Sequence, residues 1–86
     1  MNKIWHDKAW EEYLYWQTQD RETLKRINKL ISDIDRHPFI GIGKPEPLTG
    51  NLKGYWSRRI KEATRIVYKA DGGQFIIVQC GGHCED

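Results

Sequence analysis

Residues 55–80 read YWSRRIKEATRIVYKADGGQFIIVQC, and they carry the clearest signal of secondary structure in the chain. It holds three runs rich in β-branched and aromatic residues, a composition typical of β-strands. A short turn near Glu62 separates the first two runs, and Asp71-Gly72-Gly73 separates the second from the third. Because short turns join antiparallel neighbours, the stretch predicts a three-stranded antiparallel unit. Its strands are Tyr55–Lys61, Arg65–Lys69 and Gln74–Cys80.

Upstream of this unit, apolar residues recur with the period of a helix. The pattern predicts one helix over about Asp7 to Gln19 and a second from Asp20 to His37. Asp20 can cap the second helix through its side chain. That helix ends before Pro38, because the residue that precedes a proline avoids helical backbone. The short connection between the two helices predicts an antiparallel hairpin.

The order of the elements indicates the fold class. A short first strand at Lys3–Trp5 precedes the helices, and an irregular segment over residues 38–54, rich in glycine and proline, follows them. The resulting order is β-α-α-β-β-β. It predicts an α+β fold, in which an N-terminal helical hairpin packs on one face of a twisted antiparallel sheet.

Length and composition exclude several classes of protein. With 86 residues and 10.2 kDa, the chain has room for one small domain, predicted to span residues 1–86. Four Trp, four Tyr and two Phe are too many for a disordered coil. The longest apolar run, Phe75–Val78, is far shorter than the roughly 20 residues of a membrane-spanning helix. Two cysteines and no apolar leader after Met1 predict a cytoplasmic protein.

Positive charge is concentrated in one part of the chain. The formal net charge is only +2, yet residues 44–69 carry seven Lys or Arg side chains against two Glu. A basic block of this kind predicts an electrostatic footprint for a polyanion such as a nucleic acid. A solvated basic surface without a partner is the alternative interpretation of the same block.

Four ionisable residues of the C-terminal half form a chemically coherent set: Glu46, Arg59, Arg65 and His83. Cleavage of RNA without a metal needs a base for the 2′-OH, an acid for the leaving 5′ oxygen and a cation for the phosphorane. Carboxylate, imidazole and guanidinium supply these functions, and a proline on each side stiffens the backbone around Glu46. The alternatives are an ordinary loop glutamate, two exposed strand arginines and a tail histidine.

Other chemistries have weaker support in the sequence. Gly41-Ile42-Gly43-Lys44-Pro45 lacks the glycine spacing and the Ser or Thr of a phosphate-binding loop. Cys80, His83 and Cys84 could supply three zinc ligands, but no fourth ligand is evident nearby. The sequence therefore predicts no metal site and no cofactor, with zinc binding as the alternative.

Two blocks carry a resemblance to a known family. Residues 43–48 read GKPEPL and residues 56–60 read WSRRI, and both motifs are specific. Further matches lie at Ile4-Trp5, Trp10, residues 13–16, Asn51-Leu52, Arg65 and Val67-Tyr68. From Lys3 to His83 the sequence resembles the YoeB/Txe toxins of bacterial toxin–antitoxin systems, within the RelE superfamily.

The resemblance implies a fold, an activity and partners. Members of the family are similar to microbial ribonucleases in fold. They are mRNA interferases that bind the ribosomal A site and cleave the mRNA there, leaving a 2′,3′-cyclic phosphate. The expected partners are a cognate YefM-type antitoxin, the ribosome with its mRNA, and a second copy in a homodimer. Operator DNA is expected to be contacted only through the antitoxin complex.

The resemblance also implies a role for each candidate residue. Glu46 matches the general base, His83 the general acid and Arg65 the group that stabilises the phosphorane. Arg59 matches a further basic position that holds the backbone phosphate. Lys44 is predicted from its charge and loop position to add a phosphate contact without sequence readout.

The end of the chain departs from the family pattern. Family members usually end in a His-Tyr pair, whereas Cys84 stands in the place of that tyrosine and Gly81-Gly82 precedes His83. A cysteine has no aromatic face to stack on a base, and two glycines raise the entropy lost on ordering the histidine. We therefore expect reduced cleavage that Cys84→Tyr raises. The alternative function is a catalytically weakened protein that still binds antitoxin and ribosome and represses the operon.

Overall fold

The computed structural model describes residues 1–81, in which two helices pack on a five-stranded sheet. The elements in chain order are β1 (Asn2–Trp5), α1 (Asp7–Gln19), α2 (Arg21–Arg36), β2 (Glu46–Pro47), β3 (Trp56–Lys61), β4 (Thr64–Asp71) and β5 (Gln74–Cys80). A 3-10 turn over Gly50–Leu52 lies between β2 and β3. The predicted α+β fold is therefore confirmed, and the segment predicted as irregular contains one additional short strand, β2.

The sheet has the strand order β1-β5-β4-β3-β2. Strands β2 to β5 pair antiparallel with their neighbours, as the short turns predicted, but β1 lies parallel to β5. The sheet is thus mixed rather than wholly antiparallel. No tight turn fixes the direction of β1 against β5, because both helices and the other strands intervene and supply the long crossover that a parallel pair needs.

Helix α2 forms where a side-chain cap and an apolar stripe coincide. The Asp20 side chain accepts hydrogen bonds from the backbone N–H groups of Glu22 (3.1 Å) and Thr23 (3.3 Å), so it caps α2 as predicted. The apolar stripe of α2 is buried against the sheet. Tyr13 Oη donates to Asn28 Oδ1 at 2.7 Å, which joins α1 to α2 on either side of the connection, as in an antiparallel hairpin.

Both helices cover the same face of the sheet. The core between the two layers contains Ile27, Leu30 and Ile34 of α2 and Ile66, Tyr68, Phe75 and Ile77 of the sheet, all 0% exposed. Alternate strand residues therefore point away from the helices, and these residues form the second face of the sheet. Within residues 1–81, neither helix is long and apolar enough to span a bilayer.

Candidate active site

Glu46 lies at the edge of the sheet, on β2. In the register of β2 with β3, Glu46 pairs with Ser57 and Pro47 with Trp56. A proline is tolerated here because an edge strand needs no N–H toward its open side. The Glu46 side chain is 63% exposed, so a substrate has direct access to the carboxylate.

Arg65 lies near the start of β4 and reaches across the second face toward β2. Its Nη1 lies 3.7 Å from Glu46 Oε1 and donates to Ser57 Oγ at 3.3 Å. Both charged side chains are substantially exposed, 35% for Arg65 and 63% for Glu46. An exposed ion pair contributes little to folding. Each of the two groups can therefore leave this ion pair and bind a ligand instead.

Arg59 is the residue directly opposite Arg65 in the register of β3 with β4. Directly opposed residues share a face, so both guanidinium groups belong to the face away from the helices. The Arg59 backbone is fixed, since its N–H donates to Gly43 O at 2.7 Å and its C=O accepts from Arg26 Nη2 at 3.3 Å. The side-chain Nε is shielded from solvent and has no hydrogen-bond partner in the part of the chain that the structure describes.

Lys44 is linked to this site only by its position in the chain, between Gly43 and Glu46. It follows Gly43, is exposed and adopts a left-handed backbone with φ of +53°. Among residues 1–81, no hydrogen bond or ion pair holds its ammonium group. The structure thus brings Glu46, Arg59 and Arg65 together on one face, and Lys44 precedes Glu46 by two residues.

The basic block of the sequence is divided between different environments. Arg58 is fully buried on the helical side of β3. Lys61 pairs with Asp20 (3.1 Å) and lies 5.3 Å from the centroid of the Trp16 ring. Lys69 lies 5.5 Å from the centroid of a tyrosine ring, that of Tyr55. The cationic footprint at the candidate site is therefore smaller than the sequence block suggested.

The last strand ends in a set of contacts next to Arg65. Glu12 Oε1 accepts from the Cys80 N–H at 2.7 Å, and Trp16 Nε1 donates to Cys80 O at 3.1 Å. The Gly81 N–H donates to Arg65 O at 2.9 Å. Gly81 has φ of +69°, and a Cβ there would lie 2.8 Å from a Thr64 methyl group, so glycine fits both the turn and the space.

Burial governs the chemistry of Cys80. Desolvation, with a smaller effect of the Glu12 carboxylate, raises the pKa of the Cys80 thiol to about 12. The thiol is therefore neutral and unreactive at neutral pH. Within residues 1–81 no cluster of His, Cys, Asp and Glu forms a metal-binding group. The candidate general acid His83, and Cys84 in the place of the family tyrosine, lie outside the described residues.

Sequence reasoning missed two residues of this region. Ser57 is 1% exposed, and its Oγ accepts a hydrogen bond from the Arg65 guanidinium. The sequence signal for Ser57 is the alternation of the WSRRI motif, which puts Ser57 and Arg59 on one face of the strand. Glu12 is 6% exposed and lies one helical turn before Trp16, so both face the end of β5. A buried carboxylate needs a hydrogen-bond partner. The sequence signal for Glu12 is its spacing of four residues from Trp16, which puts both side chains on one face of the helix.

Comparison with known proteins identifies this combination of fold and site. The chain superposes on the toxin of the heterotetrameric YoeB–YefM toxin–antitoxin complex from Staphylococcus aureus with a TM-score of 0.90 and 42% identity, covering 98% of both chains. It also superposes on the YoeB dimer from the same organism, with a TM-score of 0.88, 42% identity and 98% of both chains covered. The architecture is therefore that of a toxin from a toxin–antitoxin pair.

Sequence comparison gives the family. Residues 5–84 match the family described as the YoeB-like toxin of bacterial type II toxin–antitoxin systems. The toxin YoeB of Streptomyces coelicolor is 57% identical over 75 residues, which cover 87% of this chain and 89% of that protein. The chain belongs to the YoeB-like toxin family, and it is a toxin of a type II toxin–antitoxin system.

Proposed function

We propose that the protein is an endoribonuclease that cleaves mRNA in the ribosomal A site and uses no metal or other cofactor. The observation that carries this proposal is the exposed pair of Glu46 and Arg65, 3.7 Å apart, with Arg59 on the same face of the sheet. A base and a phosphate-binding cation must act on one phosphodiester, so they must lie this close together. Membership in the YoeB-like toxin family supports the same activity.

The chemistry assigns one task to each group. Glu46 removes the proton from the ribose 2′-OH, and the 2′ oxygen forms a bond to phosphorus. Arg65 neutralises the charge that develops on the non-bridging oxygens, for which a planar, permanently charged guanidinium is suited. The bond from phosphorus to the 5′ oxygen then breaks, and His83 donates a proton to that oxygen. The products are a 2′,3′-cyclic phosphate and a 5′-OH, and DNA is excluded because it lacks the 2′-OH.

Three further residues are proposed to hold the substrate. Arg59 lies directly opposite Arg65 on the same face of the sheet, so its guanidinium is proposed to bind a backbone phosphate. Lys44 is exposed two residues before Glu46 and adds positive charge near it in the sequence. Cys84 occupies the sequence position of the family tyrosine and is proposed to contact the substrate without stacking on a base.

The proposed protein partners follow from the relatives. YoeB of S. aureus is found in a complex with YefM and also as a dimer. We propose a YefM-type antitoxin and a homodimer for this chain as well, with operator DNA contacted only through the antitoxin complex. The exposed apolar side chains on the first helix, Trp10 (45%) and Leu14 (43%), provide surface that a protein partner can bury.

Primer extension on a translated mRNA tests the activity, with parallel samples that contain or lack ribosomes. The wild type is expected to produce cuts only with ribosomes, and Glu46→Gln and His83→Ala are expected to abolish most of them. Glu62→Gln is the matched control, because Glu62 is an exposed turn residue outside the site. Cuts that persist in Glu46→Gln, or that appear equally without ribosomes, would contradict the proposed mechanism.

The second candidate function is a binding protein with weakened catalysis, which the cysteine at position 84 favours. Such a protein sediments with ribosomes and binds antitoxin, yet it leaves the mRNA intact. Ribosome pelleting beside the cleavage assay separates the two functions. Binding without cuts would support this second function, and cuts that increase in Cys84→Tyr would support a nuclease slowed by its altered end.

A further inference from the structure

Arg58 is a fully buried arginine at the centre of β3, on the side of the sheet that faces the helices. Its Nη1 forms an ion pair with Asp33 of α2, and its Nε donates to Tyr68 Oη at 3.2 Å. The other donors reach backbone carbonyls of the segment that follows α2. All five N–H donors of the guanidinium are thereby matched by five acceptors.

The segment over residues 37–43 contains no helix or strand, and side chains of the sheet satisfy its backbone instead. The accepting carbonyls are those of His37, Ile40 and Ile42 for Arg58, and that of Pro38 for Tyr68 Oη. Asp33 completes the network by accepting the Ile42 N–H at 3.1 Å. Gly41 has φ of +130°, and a Cβ there would collide with the Asp33 carboxylate.

This network ends next to the candidate site. Gly43 O accepts the backbone N–H of Arg59 at 2.7 Å, which ties the end of the segment to the residue after Arg58. Only Lys44 and Pro45 separate that anchor from Glu46. Because proline has a fixed φ, few free dihedral angles remain between the anchor and the carboxylate. The position of Glu46 relative to Arg65 is therefore set at both ends, by the anchor at Gly43 and by the pairing of β2 with β3.

We propose that Arg58, Asp33 and Tyr68 are positioning residues, which hold residues 37–43 so that the Glu46 carboxylate stays at Arg65. None of the three belongs to the face that carries the site, and they act through the backbone of this segment. The inference deepens the proposed nuclease function and rests on it for its catalytic part. Its structural part, the restraint of residues 37–43, stands on the described hydrogen bonds alone.

The test uses Tyr68→Phe, because this variant keeps the ring in the core and removes only the hydroxyl shared by Arg58 and Pro38. The matched control is Tyr13→Phe. It removes a hydroxyl that donates a 2.7 Å hydrogen bond from α1 to Asn28 Oδ1 of α2. Hydrogen exchange by NMR is measured at the Ile42 and Arg59 amides, which donate within the network, and at the amides of β5. Single-turnover and steady-state cleavage are measured with ribosomes.

For Tyr68→Phe we expect exchange at Ile42 and Arg59 to accelerate about tenfold or more while the amides of β5 change much less. We expect kcat to fall about tenfold or more with KM within about twofold, because displacement of a catalytic base by 1 Å can cost two orders of magnitude. Tyr13→Phe is expected to change neither quantity.

Two results overturn the inference: unchanged exchange at Ile42 and Arg59, or accelerated exchange there with kcat intact. A uniform acceleration at all amides also overturns it, since that indicates general destabilisation. A wild-type protein that cleaves nothing overturns the proposed function and with it the catalytic part of this inference. In that case the exchange rates still decide the structural part.

Discussion

Arg58 and Arg59 are neighbours on β3, and they lie on opposite faces of the sheet. Every donor of Arg58 is bonded inside the protein, whereas the Nε of Arg59 has no partner in the described part of the chain. The face that holds Arg58 is covered by helices, and the face that holds Arg59 carries an exposed carboxylate and a second arginine. The fully bonded cation organises the protein, and the cation on the uncovered face lies beside the two exposed groups that a ligand can reach.

The largest effect is expected from breaking the network on the covered face. Arg58→Met should lower the free energy of unfolding by about 3–5 kcal/mol, because it leaves the Asp33 carboxylate and several carbonyls without their partner. Urea denaturation measures the loss. Arg59→Met on the other face is the matched variant, and its cost should stay within about 1 kcal/mol. Equal losses for the two variants would remove the distinction between the faces.

The next effect tests the uncovered face. Arg65→Ala should lower the rate of ribosome-dependent cleavage by about 100- to 1000-fold, the range seen when one charge-stabilising group is lost. Its free energy of unfolding should change by less than about 1 kcal/mol, since the ion pair with Glu46 is exposed. Primer extension and urea denaturation give the two values. A large loss of stability would show that Arg65 belongs to the framework.

A smaller effect is expected at the end of β5. Glu12→Ala leaves the Cys80 N–H buried without an acceptor and should cost about 1–3 kcal/mol of stability. Glu12→Gln keeps an acceptor oxygen, so thermal unfolding should show a smaller loss. Because the Glu12 charge contributes to the raised pKa of the Cys80 thiol, the Gln variant should also lower that pKa. Equal destabilisation by Ala and Gln would argue against the hydrogen bond.

The smallest effect concerns Asp20, the N-cap of α2. Hydrogen bonds from the Thr23 hydroxyl first, and from Lys61 next, lower the pKa of Asp20 from 3.8 to about 2. The pKa in the folded state lies below that of the unfolded chain, so the carboxylate stabilises the fold above about pH 4 and loses this effect as the pH falls toward 2. The Tm of Asp20→Asn should lie below that of the wild type at pH 7, and the gap should close in acid. A constant gap would exclude the charge as its cause.

Local patterns predicted most of the fold. Helix α2 carries its apolar stripe, its cap at Asp20 and its stop before Pro38 in one continuous stretch, and β3 to β5 are joined by turns whose residues suit tight reversal. The parallel direction of β1 and the short strand β2 were beyond such patterns. The direction of β1 depends on pairing with β5, which is distant in sequence, and β2 has only two residues, too few to show a strand pattern.

The candidate site was likewise predicted from the sequence only in part. The GKPEPL and WSRRI blocks contain Glu46 and Arg59, and Arg65 was predicted as a separate match. The strand register explains how these residues meet. The sequence could not show that Arg58 would turn to the core. That outcome depends on Asp33, Tyr68 and the carbonyls of the segment after α2, contributions from three separate parts of the chain.

The parallel pairing of β1 with β5 also limits how early the sheet can form while the chain is being synthesised. Asn2 pairs with Gln74 and Trp5 with Ile77, so β1 meets its partner only when residues 74–77 have been made. Before β5 has been made, β1 has no strand to pair with. Glu12 and Trp16 likewise lack the end of β5 to which they bind. Such non-local closure is slow, because the ends of a long chain must first be brought together. The sheet therefore reaches its five-strand order only after residues 74–80 have been made, and a copy without them leaves β1 with no strand to pair with.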